Sequence, residues 1–292
     1  MEKIVSLAVE ASFSALEVAM GAIRPYQCGE RTVKEVEIKI DRTLVTQVDR
    51  EAALVARATL RARLGEEVDF LIEDLDGSSQ PSKKRFWLFG DLLDGTNAFV
   101  CGLPTSTVGI GVYDSEVRDL VAATIGEPAT GRIWTATKGE GSFLFTPGGE
   151  RRKLKTWDGT LEKPTVFLDV SHGFTRGDRI ILLDEQMEAL FSWLARPFKV
   201  LMPGSNLLQQ ALVAMGGEGC VGAVMTAKGG NWDAIGVLLA LEAGGAAKAF
   251  RVSEGRQMEE KNPLDVDAYD ILIVGNNEKT VNTIAGFFVQ LF

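Results

Sequence analysis

Four apolar runs, WLFG, STVGIGVY, LVAATIG and RIWTAT, follow one another between residues 87 and 137, with short turn-forming connections such as GEPATG between them. Runs rich in β-branched and aromatic residues, punctuated by Gly and Pro, read as successive strands. This stretch therefore commits the chain to a sheet. Helical patterns precede it. Residues 4 to 23 read as one helix, and a second is predicted from about Val45 to Leu64, where Val48, Ala52, Val55, Ala56 and Leu60 recur at helical spacing and Gly65 marks the stop. After the turn-rich TPGGERRK a second set begins. TVFLDV and DILIVGN are strand-like, whereas SNLLQQALVAMGG and WDAIGVLLALEAGG are helix-like, each ending in a glycine pair. The expectation is a layered α/β chain. Its soft boundary near residues 147 to 155 divides an N-terminal part, 1–150, from a C-terminal part, 151–292.

The 31 Lys and Arg are outnumbered by 40 Asp and Glu, a formal charge of −9. No basic surplus exists to neutralise a nucleic-acid backbone, so a nucleic-acid polymer is not an expected partner. A small anion would also be repelled unless a cation or local donors reversed the sign at its site. Cys28, Cys101 and Cys220 form neither a paired framework nor a C-x-x-C motif, which fits a reducing compartment. The N-terminal stretch carries Glu10 and Glu17 and has no basic lead segment. It therefore reads as a packed helix rather than a signal or membrane span, and the expected location is cytoplasmic, with no membrane partner.

Several acids stand where chemistry is possible, and each has a plain structural explanation as well. Asp94-Gly95 between apolar runs is a hairpin signal, but a hairpin requires neither Asp91 nor Thr96. Phe70-Leu71-Ile72 ends at Glu73-Asp74, as a buried strand would that delivers acids at its C-terminal edge; an acidic run is otherwise a solvated face. Thr46-Gln47-Val48-Asp49 fits a capping box. Asp233 could simply favour the first turn of a helix. His172 is the only histidine and has no recognisable partner, which gives serine–histidine or cysteine–histidine catalysis thin support. Taken together, several carboxylates at element edges point to a hard, oxygen-liking cation, and Mg²⁺ suits them best. If the segment after Asp94 is helical, Gly95 and Thr96 would offer main-chain N–H groups to a phosphate.

The order FLIEDLD, WLFGDLLDGTNAFVCGLP, RIWTATKGEGSFL and GGNWDAIGVLLALEAGG resembles the inositol monophosphatase family, within the Mg²⁺-dependent, lithium-sensitive phosphatases. TLVTQVD matches that family's L-V-T-x-x-D. The resemblance implies an α-β-α-β-α sandwich of the sugar-phosphatase type, two or three Mg²⁺ ions, and a homodimer. It implies Glu73, Asp91, Asp94, Asp233 and the Leu93 carbonyl as metal ligands, and Gly95 with Thr96 as the phosphate-binding pair. Glu73, Thr96 and Asp49 would polarise a water that attacks a phosphomonoester in line. Gly204 and Ser205 match the pair approaching the sugar or inositol ring.

Departures from the pattern are also visible. Leu92 replaces a proline, Ile72 replaces a glycine, the asparagine of the D-G-T segment comes one place early, and the last segment is one residue short. Asn206 stands where alanine is usual. Thr226 falls where inositol-specific members carry a glutamate that bonds ring hydroxyls. Substrate choice is therefore open between an inositol monophosphate-like polyol or sugar phosphate, fructose 1,6-bisphosphate and a 3′(2′),5′-bisphosphate nucleotide. Arg176, Lys199 and Lys228 are candidates to meet a second phosphate. A catalytically idle homologue that binds a phosphorylated ligand is the rival from another class.

Overall fold

The computed structural model describes the chain apart from residues 1, 39–43, 77–82, 170–174, 177–178, 227–231, 255 and 266–268. His172 and Lys228 fall outside the described residues. The first half runs α1 (Glu2–Gln27), β1 (Val36–Ile38), β2 (Leu44–Thr46), α2 (Gln47–Leu64), β3 (Asp69–Ile72), α3 (Glu73–Asp76), β4 (Phe86–Asp94), α4 (Thr96–Val100), β5 (Thr107–Asp114), β6 (Asp119–Glu127), β7 (Arg132–Thr137), β8 (Gly141–Phe145) and β9 (Arg151–Lys153). The second continues through β10 (Thr165–Asp169), β11 (Thr175–Arg176), β12 (Arg179–Ile180), α5 (Asp184–Ala195), β13 (Lys199–Leu201), α6 (Asn206–Met215) and β14 (Cys220–Thr226). A single 3-10 turn, Trp232–Ala234, then leads to α7 (Val237–Glu242), β15 (Ala246–Val252), β16 (Met258–Lys261), β17 (Ile271–Gly275) and α8 (Glu278–Val289).

Strands β3 to β9 form a seven-stranded sheet in sequence order. The second sheet has six strands in the order β13-β10-β14-β17-β15-β16. Alternation along the strands explains the layering. In β4, Phe86 and Leu88 join a core with residues of α1 and α2. Trp87 and Phe89 face the other way, into a core shared with α6 and α7. In β17, Leu272 and Val274 enter that same central core, whereas Ile271 and Ile273 pack with residues of α5 and α8. Helix pair, sheet, helix pair, sheet, helix pair is thus the observed α-β-α-β-α sandwich. Strands covered on both faces need near-continuous apolar sequence, which is how WLFG and ILIVG read.

Helix boundaries follow local chemistry. α1 extends past residue 23 to Gln27, carrying Pro25 in its last turn. It is long and apolar enough to cross a membrane by length and composition alone. Its apolar face, including Ala8, Ala11, Ala15, Leu16, Ala19 and Ile23, is buried, and the helix lies against β5 and β6. α2 starts later than the spacing predicts, because Thr46 is extended (φ −120°, ψ 167°) and caps the helix while Val45 belongs to β2. The WDAIGVLLALEA segment splits into the 3-10 turn and α7. Gly236 lies between them, packed so closely on Gln210 that a Cβ there would stand 2.6 Å from the Gln210 Cβ.

Candidate active site

β3 and β4 run parallel, with Phe70 opposite Leu88 and Ile72 opposite Gly90. Both strands therefore end at the same edge of the sheet. Glu73, the first residue of α3, follows Ile72 at that edge just as Asp91 follows Gly90, the partner of Ile72 on β4. A buried strand delivering acids at its C-terminal edge is what FLIED predicts.

The D-x-x-D segment owes its shape to an interrupted ladder. Asp91 pairs with Gly109 and Asp94 with Thr107, so three steps on β4 face two on β5. Such a bulge bends its strand and re-aims side chains. Leu92 and Leu93 go into the core beneath α2, which gives the leucine in place of proline a packing role. The Asp91 carboxylate accepts a hydrogen bond from the Leu93 N–H at 2.9 Å, an Asx turn that holds the bend. Asp94-Gly95 is then no hairpin, since the chain passes from β4 straight into α4. Gly95 is the N-cap of α4 at φ +88°, and a Cβ there would lie 2.8 Å from the Gly204 carbonyl oxygen. No side chain other than glycine's hydrogen fits this left-handed, crowded position.

Asp49 does two things at once. One carboxylate oxygen accepts from the Thr46 N–H at 2.7 Å and from the Thr46 hydroxyl, and the Thr46 hydroxyl in turn accepts from the Val48 N–H, completing a capping box. The other oxygen accepts from the Thr96 hydroxyl at 3.0 Å, and that hydroxyl also lies 3.0 Å from the Leu93 carbonyl. Asp49 is 1% exposed. Residues 47 positions apart are thereby linked, and the cap leaves the second oxygen bonded to Thr96.

Asp94 is 6% exposed. Its Oδ2 accepts from the Leu207 N–H at 2.9 Å, from the Ser205 hydroxyl, and from the Thr107 hydroxyl at 3.3 Å. Ser205 is also the N-cap of α6, accepting from the Leu208 N–H at 3.1 Å. One residue on, the Asn206 Nδ2 donates to the Asp233 Oδ1 at 2.7 Å, and the Gln210 Nε2 donates to the Asp233 carbonyl at 2.5 Å. The first turn of α6 thus ties Asp94 of the first sheet to Asp233 of the 3-10 turn. Thr107, Asn206 and Gln210 carry these links without a motif of their own; Asn206 stood out only as a departure from alanine.

Other predicted residues lie elsewhere in this arrangement. Gly204 is left-handed (φ +83°), with its Cα side against Ala98. Thr226 ends β14 fully buried, its hydroxyl donating to the Asp169 carbonyl at 3.3 Å. Lys199 is exposed on β13. Thr105, after α4, donates from its hydroxyl to the Pro203 carbonyl at 2.7 Å, closing the α4 segment onto the Gly204 turn.

The donor chemistry suits a hard divalent cation, because every candidate ligand is an oxygen. Among the described residues, no three carboxylate, imidazole or thiolate groups converge closely enough to enclose a metal by themselves. Mg²⁺ is usually held by carboxylates together with waters and substrate oxygens rather than by an all-protein cage.

A sequence model of the inositol monophosphatase family matches residues 1–285. A Xylella fastidiosa protein named Nus factor SuhB is 28% identical over 71% of this chain and 69% of its own length. An inositol-1-monophosphatase from Rhizobium meliloti is 33% identical over 40% of this chain and 42% of its own. Among solved structures, an IMPase from Thermotoga maritima superposes with a TM-score of 0.73 at 18% identity, covering 100% of both chains.

Proposed function

Because the chain belongs to the inositol monophosphatase family, we propose that it is a Mg²⁺-dependent phosphomonoesterase acting on a small phosphorylated polyol or sugar. The observation that supports this reading is the shared edge of β3 and β4, where β3 runs into Glu73 and β4 into Asp91, with Asp94 further along linked through α6 to Asp233. Glu73, Asp91, Asp94, Asp233 and the Leu93 carbonyl would hold the cation. When bound, Mg²⁺ would supply Lewis-acid activation of water and stabilisation of the leaving oxygen.

The chain's own residues then do the positioning. Thr96 is held between the Asp49 carboxylate and the Leu93 carbonyl, and together with Glu73 and Asp49 it would orient the attacking water. Gly95 and Thr96 open α4, and the first N–H groups of a helix have no partner within it. Their backbone is the proposed phosphate cradle. Gly204 and Ser205 form the opposing wall, too close to Gly95 for any side chain between them. Thr226, where inositol-specific members would carry a glutamate, has its hydroxyl committed to the main chain. This favours a sugar phosphate, a bisphosphate such as fructose 1,6-bisphosphate, or a 3′(2′),5′-bisphosphate nucleotide over an inositol-specific role. A cytoplasmic homodimer completes the proposal by family analogy.

The test is phosphate release from inositol monophosphates, sugar phosphates, fructose 1,6-bisphosphate and 3′-phosphoadenosine 5′-phosphate, with Mg²⁺ and with chelator. Metal-dependent release that is lost in Asp94→Asn supports the proposal and identifies the substrate class. A second reading, a catalytically idle phosphate-ligand binder, is favoured by the similarity to a relative named as a Nus factor. Mg²⁺ and ester binding without release across that panel would select it.

A further inference from the structure

The metal-site reading assigns a role to Asp233 but not to the residues that hold it. Two neighbours one helical turn apart on α6 grip this aspartate at two points. The Asn206 amide nitrogen bonds its carboxylate at 2.7 Å, and the Gln210 amide nitrogen bonds its main-chain oxygen at 2.5 Å. The two bonds differ, since Asn206 acts on the carboxylate whereas Gln210 satisfies a main-chain acceptor and so also holds the 3-10 turn. Asn206 is 1% exposed, and its side-chain oxygen has no hydrogen-bond partner; Gln210 is fully buried, and its side-chain oxygen is likewise unpartnered. A buried polar atom left without a partner is destabilising. An apolar residue at 206 would remove one such atom, whereas one at 210 would also take the donor from the Asp233 carbonyl. Asn206 orients the Asp233 carboxylate, and Gln210 fixes the backbone that carries it.

The clamp is also anchored. The residues flanking Asn206, Ser205 and Leu207, donate to Asp94 Oδ2. The orientation of Asp233 is therefore referenced to Asp94, although the two acids arise from different layers of the sandwich. Alanine at position 206 could not make this link.

Resting on the metal-site reading above, we infer that Asn206 and Gln210 are positioning residues that fix the Asp233 carboxylate relative to Asp94 and so raise the affinity of the site for its divalent cation. They need not touch substrate. Residues that orient metal ligands typically change metal affinity by about 10–100-fold when removed.

The experiment measures Mn²⁺ binding to metal-free wild type, Asn206→Ala and Gln210→Met by calorimetry, alongside the thermal midpoint of each metal-free protein. Asn206→Ala is expected to weaken Mn²⁺ binding about tenfold with an unchanged or higher metal-free midpoint, because an unpartnered buried oxygen has been removed. Gln210→Met, which keeps the bulk and drops the donor, is expected to move affinity in the same direction. Wild type that binds Mn²⁺ with both variants binding it equally well overturns this inference alone. A metal-free midpoint that falls in Asn206→Ala also overturns it, since that amide would then be structural, whereas a fall confined to Gln210→Met is expected because the Asp233 carbonyl loses its donor. Wild type that binds no Mn²⁺ overturns the metal-site reading and this inference together.

Discussion

At the scale of single residues, Asp94 carries the most. Its Oδ2 gathers a main-chain N–H and two hydroxyls, so its loss acts on folding as well as on chemistry. Asp94→Ala strands the Leu207 N–H, a buried orphan that costs about 1–3 kcal/mol, while the Ser205 hydroxyl keeps its contact with the Thr107 hydroxyl. Asp94→Asn keeps the shape and one acceptor. The expected result is metal-dependent activity lost in both variants, with a markedly larger drop in chemical-denaturation stability for alanine. Thr46→Ala provides the contrast. It removes the helix cap and costs about 1 kcal/mol in urea titration, while Thr96 still donates to Asp49. Asp49, Asp91, Asp94 and Asp233 are all legible in the sequence, because acids at element edges recur in a recognisable order. Thr107, Asn206 and Gln210 are not legible as participants. Their role exists only once β5, α6 and the 3-10 turn are brought together, and no spacing along the chain encodes that approach.

Elements show where local signals mislead. D-G between apolar runs is a hairpin signal, yet the chain goes from β4 into α4 because the bulge at Leu92-Leu93 and the left-handed Gly95 turn it the other way. Gly95→Ala is expected to lose about 1–3 kcal/mol for the backbone alone, with the Gly204 contact adding to it; circular-dichroism melting checks this. The strands read directly, since apolar runs between turn residues leave little choice, whereas the split before α7 depends on Gln210 pressing on Gly236. At the far end of the β4–β5 pair, burial of Asp114 opposes its ionisation. The Arg85 guanidinium, bonded at 2.9 Å, and the Glu116 N–H outweigh that and hold the carboxyl below the ordinary aspartate range. A depressed folded-state pKa stabilises above the unfolded value of about 3.9, and the contribution disappears as pH falls through the folded value. Arg85→Gln is therefore expected to lower the melting temperature at pH 7, with the gap to wild type closing as the pH drops below about 4.

For the whole molecule, five layers put the site where the two sheets and the start of α6 meet, so neither half holds all the proposed ligands. The central core, with Trp87 and Phe89 from one sheet and Leu272 and Val274 from the other, fixes that meeting. The layered class is legible from the alternation of strand and helix patterns; the strand order of the second sheet, with β14 and β17 antiparallel, is not, because register depends on pairings far apart in sequence. Thiol reactivity reports the packing. Cys28 and Cys101 are exposed, whereas burial pushes the Cys220 thiol up to about 12. A thiol reagent at pH 8 is expected to label Cys28 and Cys101 in the folded protein and Cys220 only after unfolding, because the thiolate is the reactive form. Glu73, Asp91, Asp94 and Asp233 are proposed to form one cation-dependent phosphate centre. An anomalous difference map from a crystal soaked in Mn²⁺ and phosphate tests it most directly. Peaks are expected about 2 Å from oxygens of these carboxylates, the length of a hard-cation–oxygen bond, with phosphate reaching Gly95 and Thr96. Peaks confined to other surface acids, with all four carboxylates bare, would contradict it.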